Sequence, residues 1–137
     1  MEFDVKIGTT NERVVITNSN QTTSFLWEGE NVLSTPSLIS EMEETCRLLL
    51  KNILQDDEWD SVGTIVEIRH IAATPVGSKI ILKAKVESVN NRKIMFSVEA
   101  FDEIEKIGYG MHERFIINIP KFRSKFEEKK KKLFVNN

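Results

Sequence analysis

STPSLISEMEETCRLLLKNI, residues 34–53, is the stretch that decides the fold. Leu38, Ile39, Met42, Cys46, Leu49, Leu50 and Ile53 recur at helical spacing, while Glu41, Glu44, Arg47 and Lys51 fall largely on other faces. Ser34 or Thr35 can cap the start, and Pro36 suits the first turn. The acidic run Asp56-Asp57-Glu58 ends the pattern. The spacing predicts one helix of about five turns. Such a helix cannot bury its apolar stripe alone.

Downstream, the period changes to two. Val62, Thr64, Val66, Ile68 and His70 share one face of a first strand, read as the face that meets the helix. Ile80, Leu82, Ala84 and Val86 alternate with Ile81, Lys83, Lys85 and Glu87 in a second. Asn90-Asn91 marks a hairpin into a third strand, Lys93 to Phe101. Residues 102–106 turn into a fourth, Ile107 to Ile119, which Pro120 closes. Upstream, Val14 to Thr17 favours strand and Glu28-Gly29-Glu30 reads as a mobile connection. The class is therefore α+β, an antiparallel sheet curled around one principal helix. Residues 1–125 read as one domain and 126–137 as a basic tail. Ile81 and Val89, read as facing away from the helix, predict apolar surface for a second copy to cover.

The chain has 137 residues, the length of a single domain. With 40% apolar and 29% charged residues it has the composition of a folded chain rather than a disordered one. No apolar run is long enough to cross a bilayer, and Met1-Glu2-Phe3-Asp4 lacks the apolar segment of a secretory signal. A single cysteine, Cys46, permits no internal disulfide, so the expected location is the cytoplasm. Residues 121–137 hold seven cations against two glutamates, a net of +5, whereas the first 120 residues are net −7. So acidic a body excludes a general nucleic-acid binder, and no membrane partner is expected. Lys129 to Lys132 read as a solvated end. Only this tail could attract an anion.

Few side chains can carry chemistry. The sequence holds two histidines. His70, placed toward the helix, is either a core histidine satisfied by backbone or an acid–base group. Glu43 follows Met42 and leans toward the buried side, either as a flank residue or as a reactive carboxylate. Thr35, eight residues earlier on a similar face, is a cap or a hydroxyl beside free helix N–H groups that can hold an oxyanion. Cys46 is most simply a small core residue. His112 and Arg114 share the minority face of the last strand with Gly108 and Gly110, a pattern read as a solvated or dimer-facing edge. Gly108-Tyr109-Gly110 lacks the third glycine of a dinucleotide loop, and no residue spacing supports a metal site.

Three blocks carry a resemblance. Val32 to Ile39 with Met42-Glu43, then Ser61-Val62-Gly63-Thr64 with Arg69 to Gly77, then Gly108 to Phe115 with Lys121-Phe122, resemble in order the hotdog-fold thioesterases similar to fluoroacetyl-CoA thioesterase. The resemblance implies a sheet wrapped around a long helix, acyl-CoA as substrate, no cofactor beyond the CoA of that substrate, and a homodimer or tetramer with sites between subunits. It also implies that Thr35, Glu43 and His70 are catalytic, that Arg114 binds substrate and that Gly63 lines the acyl pocket. The family carries two phenylalanines in the segment before the helix. Here that segment is Trp27-Glu28-Gly29-Glu30, with Gly29 at the gating position, which implies a different small acyl group. A hotdog hydratase would need an aspartate five residues before a histidine, but Ile65 and Ile107 stand there. A non-catalytic acyl-CoA or acyl-carrier binding module is the alternative.

Overall fold

Ser34, rather than Thr35, caps the long helix. Its hydroxyl oxygen accepts the Ser37 N–H at 3.2 Å, and Thr35 and Pro36 open the first turn. This helix, α1, spans Thr35–Leu54 and stops at Gln55, whose left-handed backbone (φ 50°) lets its N–H reach the Lys51 carbonyl. The computed structural model describes residues 3–135. Met1 and Glu2 of the acidic opening, and Asn136 and Asn137 of the basic end, lie outside the described residues.

Five strands form one antiparallel sheet: β1 Thr10–Ile16, β2 Trp59–His70, β3 Lys79–Asn90, β4 Lys93–Phe101 and β5 Lys106–Asn118. Their spatial order is β1-β3-β4-β5-β2, which leaves β1 and β2 as the edges. Asn91 turns the β3–β4 hairpin at φ 57°. Ile80, Leu82, Ala84 and Val86 are all buried, as their alternation predicts, and Ile94, Phe96, Val98 and Ala100 of β4 join them beneath α1. Each of the larger side chains contributes roughly 1.5–3 kcal/mol by leaving water. The expected α+β arrangement, a sheet wrapped on one helix, is what forms.

Two bulges correct the strand faces. Gly63 pairs with Arg114 and Ile65 with Glu113, so Thr64 is an extra residue in β2. Before it, Trp59, Ser61 and Gly63 face α1; after it, Val66, Ile68 and His70 do. Val62 and Thr64, expected on the inner face, point outward. A second shift between Val86 and Ser88 sets Val89 opposite the buried Ile94, so Val89 packs against the core instead of forming the apolar surface expected of it. His112 and Arg114 are likewise not at a solvated edge. They lie on the inner face with Ile116 and are 1% and 5% exposed. Gly110 serves strand pairing, since a Cβ there would sit 2.0 Å from the Glu67 carbonyl oxygen.

Pro120 does not merely close β5. It lies in the first turn of a second helix, α2, Ile119–Phe134, whose start Asn118 caps by accepting the Lys121 N–H at 3.1 Å. One continuous helix thus joins residue 125 to the basic tail. Arg13 of β1 grips the Glu41 carboxylate at 3.3 Å, and Gln21 donates to the same carboxylate at 2.8 Å, which fixes the start of the 22–34 segment against α1. That segment exposes Phe25, Leu26 and Trp27. Among the described residues, no helix is long and apolar enough to cross a membrane.

Candidate active site

The residues singled out from sequence fall into two groups along α1. At the helix start, Thr35 Oγ1 lies 2.8 Å from His70 Nδ1. The other ring nitrogen, His70 Nε2, is buried without a hydrogen-bond partner. Desolvation lowers the His70 pKa from the ordinary histidine value, only partly opposed by the Ala72 backbone, so the ring is neutral at neutral pH. The buried second nitrogen of this neutral ring lacks the hydrogen bond that such a group ordinarily makes.

Two turns further along α1 stands the second group. The Glu43 carboxylate lies over Gly63, with Oε2 only 3.3 Å from where a Cβ would be. The missing side chain makes the notch that the carboxylate occupies. Arg114 approaches the same oxygen at 3.8 Å. Its guanidinium is held on three sides: Nε donates to Ser61 Oγ at 2.7 Å, Nη2 to Ser61 O at 2.7 Å, and Nη1 meets His112 Nε2 at 3.1 Å. Glu43 itself is half-buried, its side chain 39% exposed, so a substrate can reach it.

His112 is the member that sequence reasoning missed. Its Nδ1 lies 2.8 Å from the Ile65 carbonyl, which can only accept, so the proton sits on Nδ1 and Nε2 accepts from Arg114. Burial first, and the Arg114 charge as well, lower its pKa and keep it in this neutral form. The signal available in the sequence was the face it shares with Arg114, Gly108, Gly110 and Ile116, where small residues leave room for two large polar ones. Cys46 is no nucleophile here. Burial pushes its thiol up to about 12, leaving it protonated.

The two groups do not meet within one chain. Eight residues of helix separate Thr35 from Glu43, about 12 Å along the axis. Gly63 and His70 stand at opposite ends of the exposed half of β2, about 20 Å apart.

Comparison with known proteins gives this geometry a context. A family model described as fluoroacetyl-CoA-specific thioesterase matches residues 10–120. A curated fluoroacetyl-CoA thioesterase from Streptantibioticus cattleyicolor is 34% identical over 102 residues, covering 74% of this chain and 73% of the relative. A solved fluoroacetyl-CoA thioesterase superposes with a TM-score of 0.83 at 27% identity, over 91% of this chain and 97% of that one. A Thermus thermophilus thioesterase superfamily member superposes at 0.85 with 23% identity, over 96% and 97% of the two chains, and adds support for the hotdog fold alone. The family match covers the whole sheet together with α1, and on it the chain belongs to the fluoroacetyl-CoA-specific thioesterase family.

Proposed function

We propose that this protein hydrolyses an acyl-CoA thioester to a carboxylate and free CoA, with a short acyl group, and that Glu43 carries the reaction. The observation that supports it most directly is the Glu43 carboxylate set in the Gly63 notch beside Arg114. Glu43 attacks the thioester carbon as a nucleophile or activates the attacking water as a base. A single turnover in oxygen-18 water separates the two, because direct water attack never labels the enzyme carboxylate. The Thr35 hydroxyl donates to His70 Nδ1, which leaves Nε2–H to polarise the thioester carbonyl, while the departing thiolate takes its proton from water. Arg114 and Gly63 hold the acyl end. No cofactor is needed beyond the CoA that arrives with the substrate, and we place the activity in the cytoplasm, a reading supported by the single free cysteine.

The separation of the two groups favours a homodimer. β2 is an edge strand with its outer ladder unpaired, and Ile65 and Val66 are 43% and 44% exposed on its two faces. Antiparallel pairing of β2 with its own copy, about a two-fold axis at Glu67, brings Gly63 beside His70 of the partner subunit once Thr64 is counted as the inserted residue. Each site then takes Glu43, Gly63 and Arg114 from one chain and His70 and Thr35 from the other. The test is thiol release from a panel of short acyl-CoAs. Glu43→Ala and His70→Ala should each lower the rate by about two orders of magnitude or more, with dimer and circular dichroism unchanged. Mixing the two dead variants after subunit exchange should restore about a quarter of wild-type activity, since half the dimers carry one intact site of two. A mixture as inactive as its parts would show that both residues act within one chain. Binding of acyl-CoA without thiol release would favour the non-catalytic module.

A further inference from the structure

The loop before α1 is tied down beside His70. Thr23 N–H donates to Val32 O at 2.9 Å and pins the loop at its neck. Leu33 N–H donates to Thr74 O at 2.8 Å, and Val76 N–H to Asn31 O at 2.7 Å, which fixes that neck to the segment just after His70. Thr23, Val32, Leu33, Thr35, His70 and Ala72 are among the residues that line a pocket of about 280 Å³ there. Two hydroxyls stand in its wall, and both protons are already committed. The Thr35 hydroxyl donates to His70 Nδ1 in the reading above, and the Thr23 hydroxyl donates to Glu30 Oε1. A hydroxyl has one proton, so both oxygens can only accept from an occupant. Glu30 Oε2 is buried with no hydrogen-bond partner among the described residues, so Thr23 is the group that this carboxylate engages. A hydroxyl that donates to a carboxylate is itself the stronger acceptor.

We infer that this pocket selects acyl groups that carry a hydroxyl, which donates to Thr23 Oγ1 with Glu30 behind it. The inference rests on the thioester reading above. In that reading His70 Nε2 is turned to the thioester carbonyl. Thr35 Oγ1 lies on the other side of the ring, at Nδ1, so Thr23 is the acceptor left for the acyl chain. An alkyl group of the same size would cover the Thr23 oxygen without pairing it, and a buried acceptor left unpaired costs more than a missing contact. An ammonium would bring a charge and three donors, more than the Thr23 oxygen can satisfy, and none of the described lining residues is a carboxylate. The substrate class is thus a short hydroxyacyl-CoA.

The test compares isosteres, glycolyl-CoA with propionyl-CoA and 3-hydroxypropionyl-CoA with butyryl-CoA, each as a ratio of kcat/KM from thiol release. Wild type should favour the hydroxylated member of at least one pair by about tenfold, beyond the difference in their alkaline hydrolysis, as expected for one added hydrogen bond. The better pair reports where along the chain the hydroxyl sits. Thr23→Val keeps the shape, removes the oxygen and should bring the ratio down to that intrinsic difference, whereas Thr23→Ser should restore it. Glu30→Ala leaves the Thr23 proton uncommitted and should lower the ratio part of the way. No wild-type preference in either pair would overturn the inference, and so would a ratio that Thr23→Val or Glu30→Ala leaves unchanged. Failure to release thiol from any of the four would instead refute the hydrolase reading. Calorimetric titration of the same uncleaved thioesters then decides the pocket, and equal affinity within each pair overturns the inference.

Discussion

Gly63 and His112 show how little side chain the site can spare. A Cβ on residue 63 would lie 3.0 Å from His112 Cε1 and 3.3 Å from Glu43 Oε2, so one of the two must yield. Since the imidazole is pinned between Ile65 and Arg114, the carboxylate moves. Gly63→Ala should therefore lower kcat/KM at least tenfold, with a thermal midpoint close to wild type, because a displacement of a few tenths of an ångström spoils alignment before it spoils packing. Equal activity in the alanine variant would remove the notch from the mechanism. His112 carries a pH signature. Its folded pKa lies below the unfolded value near 6.5, so above 6.5 both states are neutral and no proton-linked cost exists. Below that, the unfolded chain takes up a proton that the folded chain refuses, and stability falls with pH until the depressed folded pKa is reached. The same direction holds for His70. His112→Gln keeps an acceptor for Arg114 and removes one titration. Its melting temperature should fall less steeply than wild type from pH 7 to about pH 5. Parallel slopes would refute this account of His112.

At the scale of elements, the proposed function makes the segment before α1 the candidate wall of the acyl pocket. Gly29, at φ 76° and at the position the resemblance gives to a gating phenylalanine, carries no side chain to form a wall. Phe25, Leu26 and Trp27 are 80%, 49% and 62% exposed instead, three large side chains in the segment that leads into Thr35. A hydrophobic wall distinguishes a single small substituent by only about 1–3 kcal/mol, and Gly29 adds no side chain to one. Fluoroacetyl-CoA and acetyl-CoA should give kcat/KM values within about two orders of magnitude, and Trp27→Ala should change the ranking among propionyl-, butyryl- and branched acyl-CoA. A preference for fluoroacetyl-CoA by several orders of magnitude would restore the narrower specificity. The elements themselves were legible. Spacing alone located α1 within a residue of its ends and β3 with its buried alternation, and the Asn90-Asn91 turn located β4. The β2 face and the inward placement of Arg114 were not. Alternation assumes an unbroken ladder, and nothing in Gly63-Thr64-Ile65 announces an inserted residue. Nor does a period count foresee that Ser61 would satisfy a buried guanidinium with both its hydroxyl and its carbonyl.

For the whole molecule, the decisive question is what covers β2. The sequence-based argument for a second copy relied on Ile81 and Val89; the β3 bulge returns Val89 to the core, while the β2 edge is on the opposite side of the sheet. Sedimentation at micromolar concentration should show a particle of twice the 15.8 kDa chain mass. Val66→Pro, whose N–H faces away from β5 because the Glu67 carbonyl lies against Gly110, should shift it toward monomer and abolish turnover together, since a strand that cannot donate its N–H pairs poorly. A monomer with full activity would break the link between assembly and chemistry. The single extra residue at Thr64 also has an arithmetic consequence. Positions 63 and 70 differ by an odd number, and on a regular strand residues of opposite parity never look the same way. One inserted residue restores parity and lets glycine and histidine both look toward the helix. In any chain that builds its site on these two positions, an odd interval demands such an insertion and an even one forbids it.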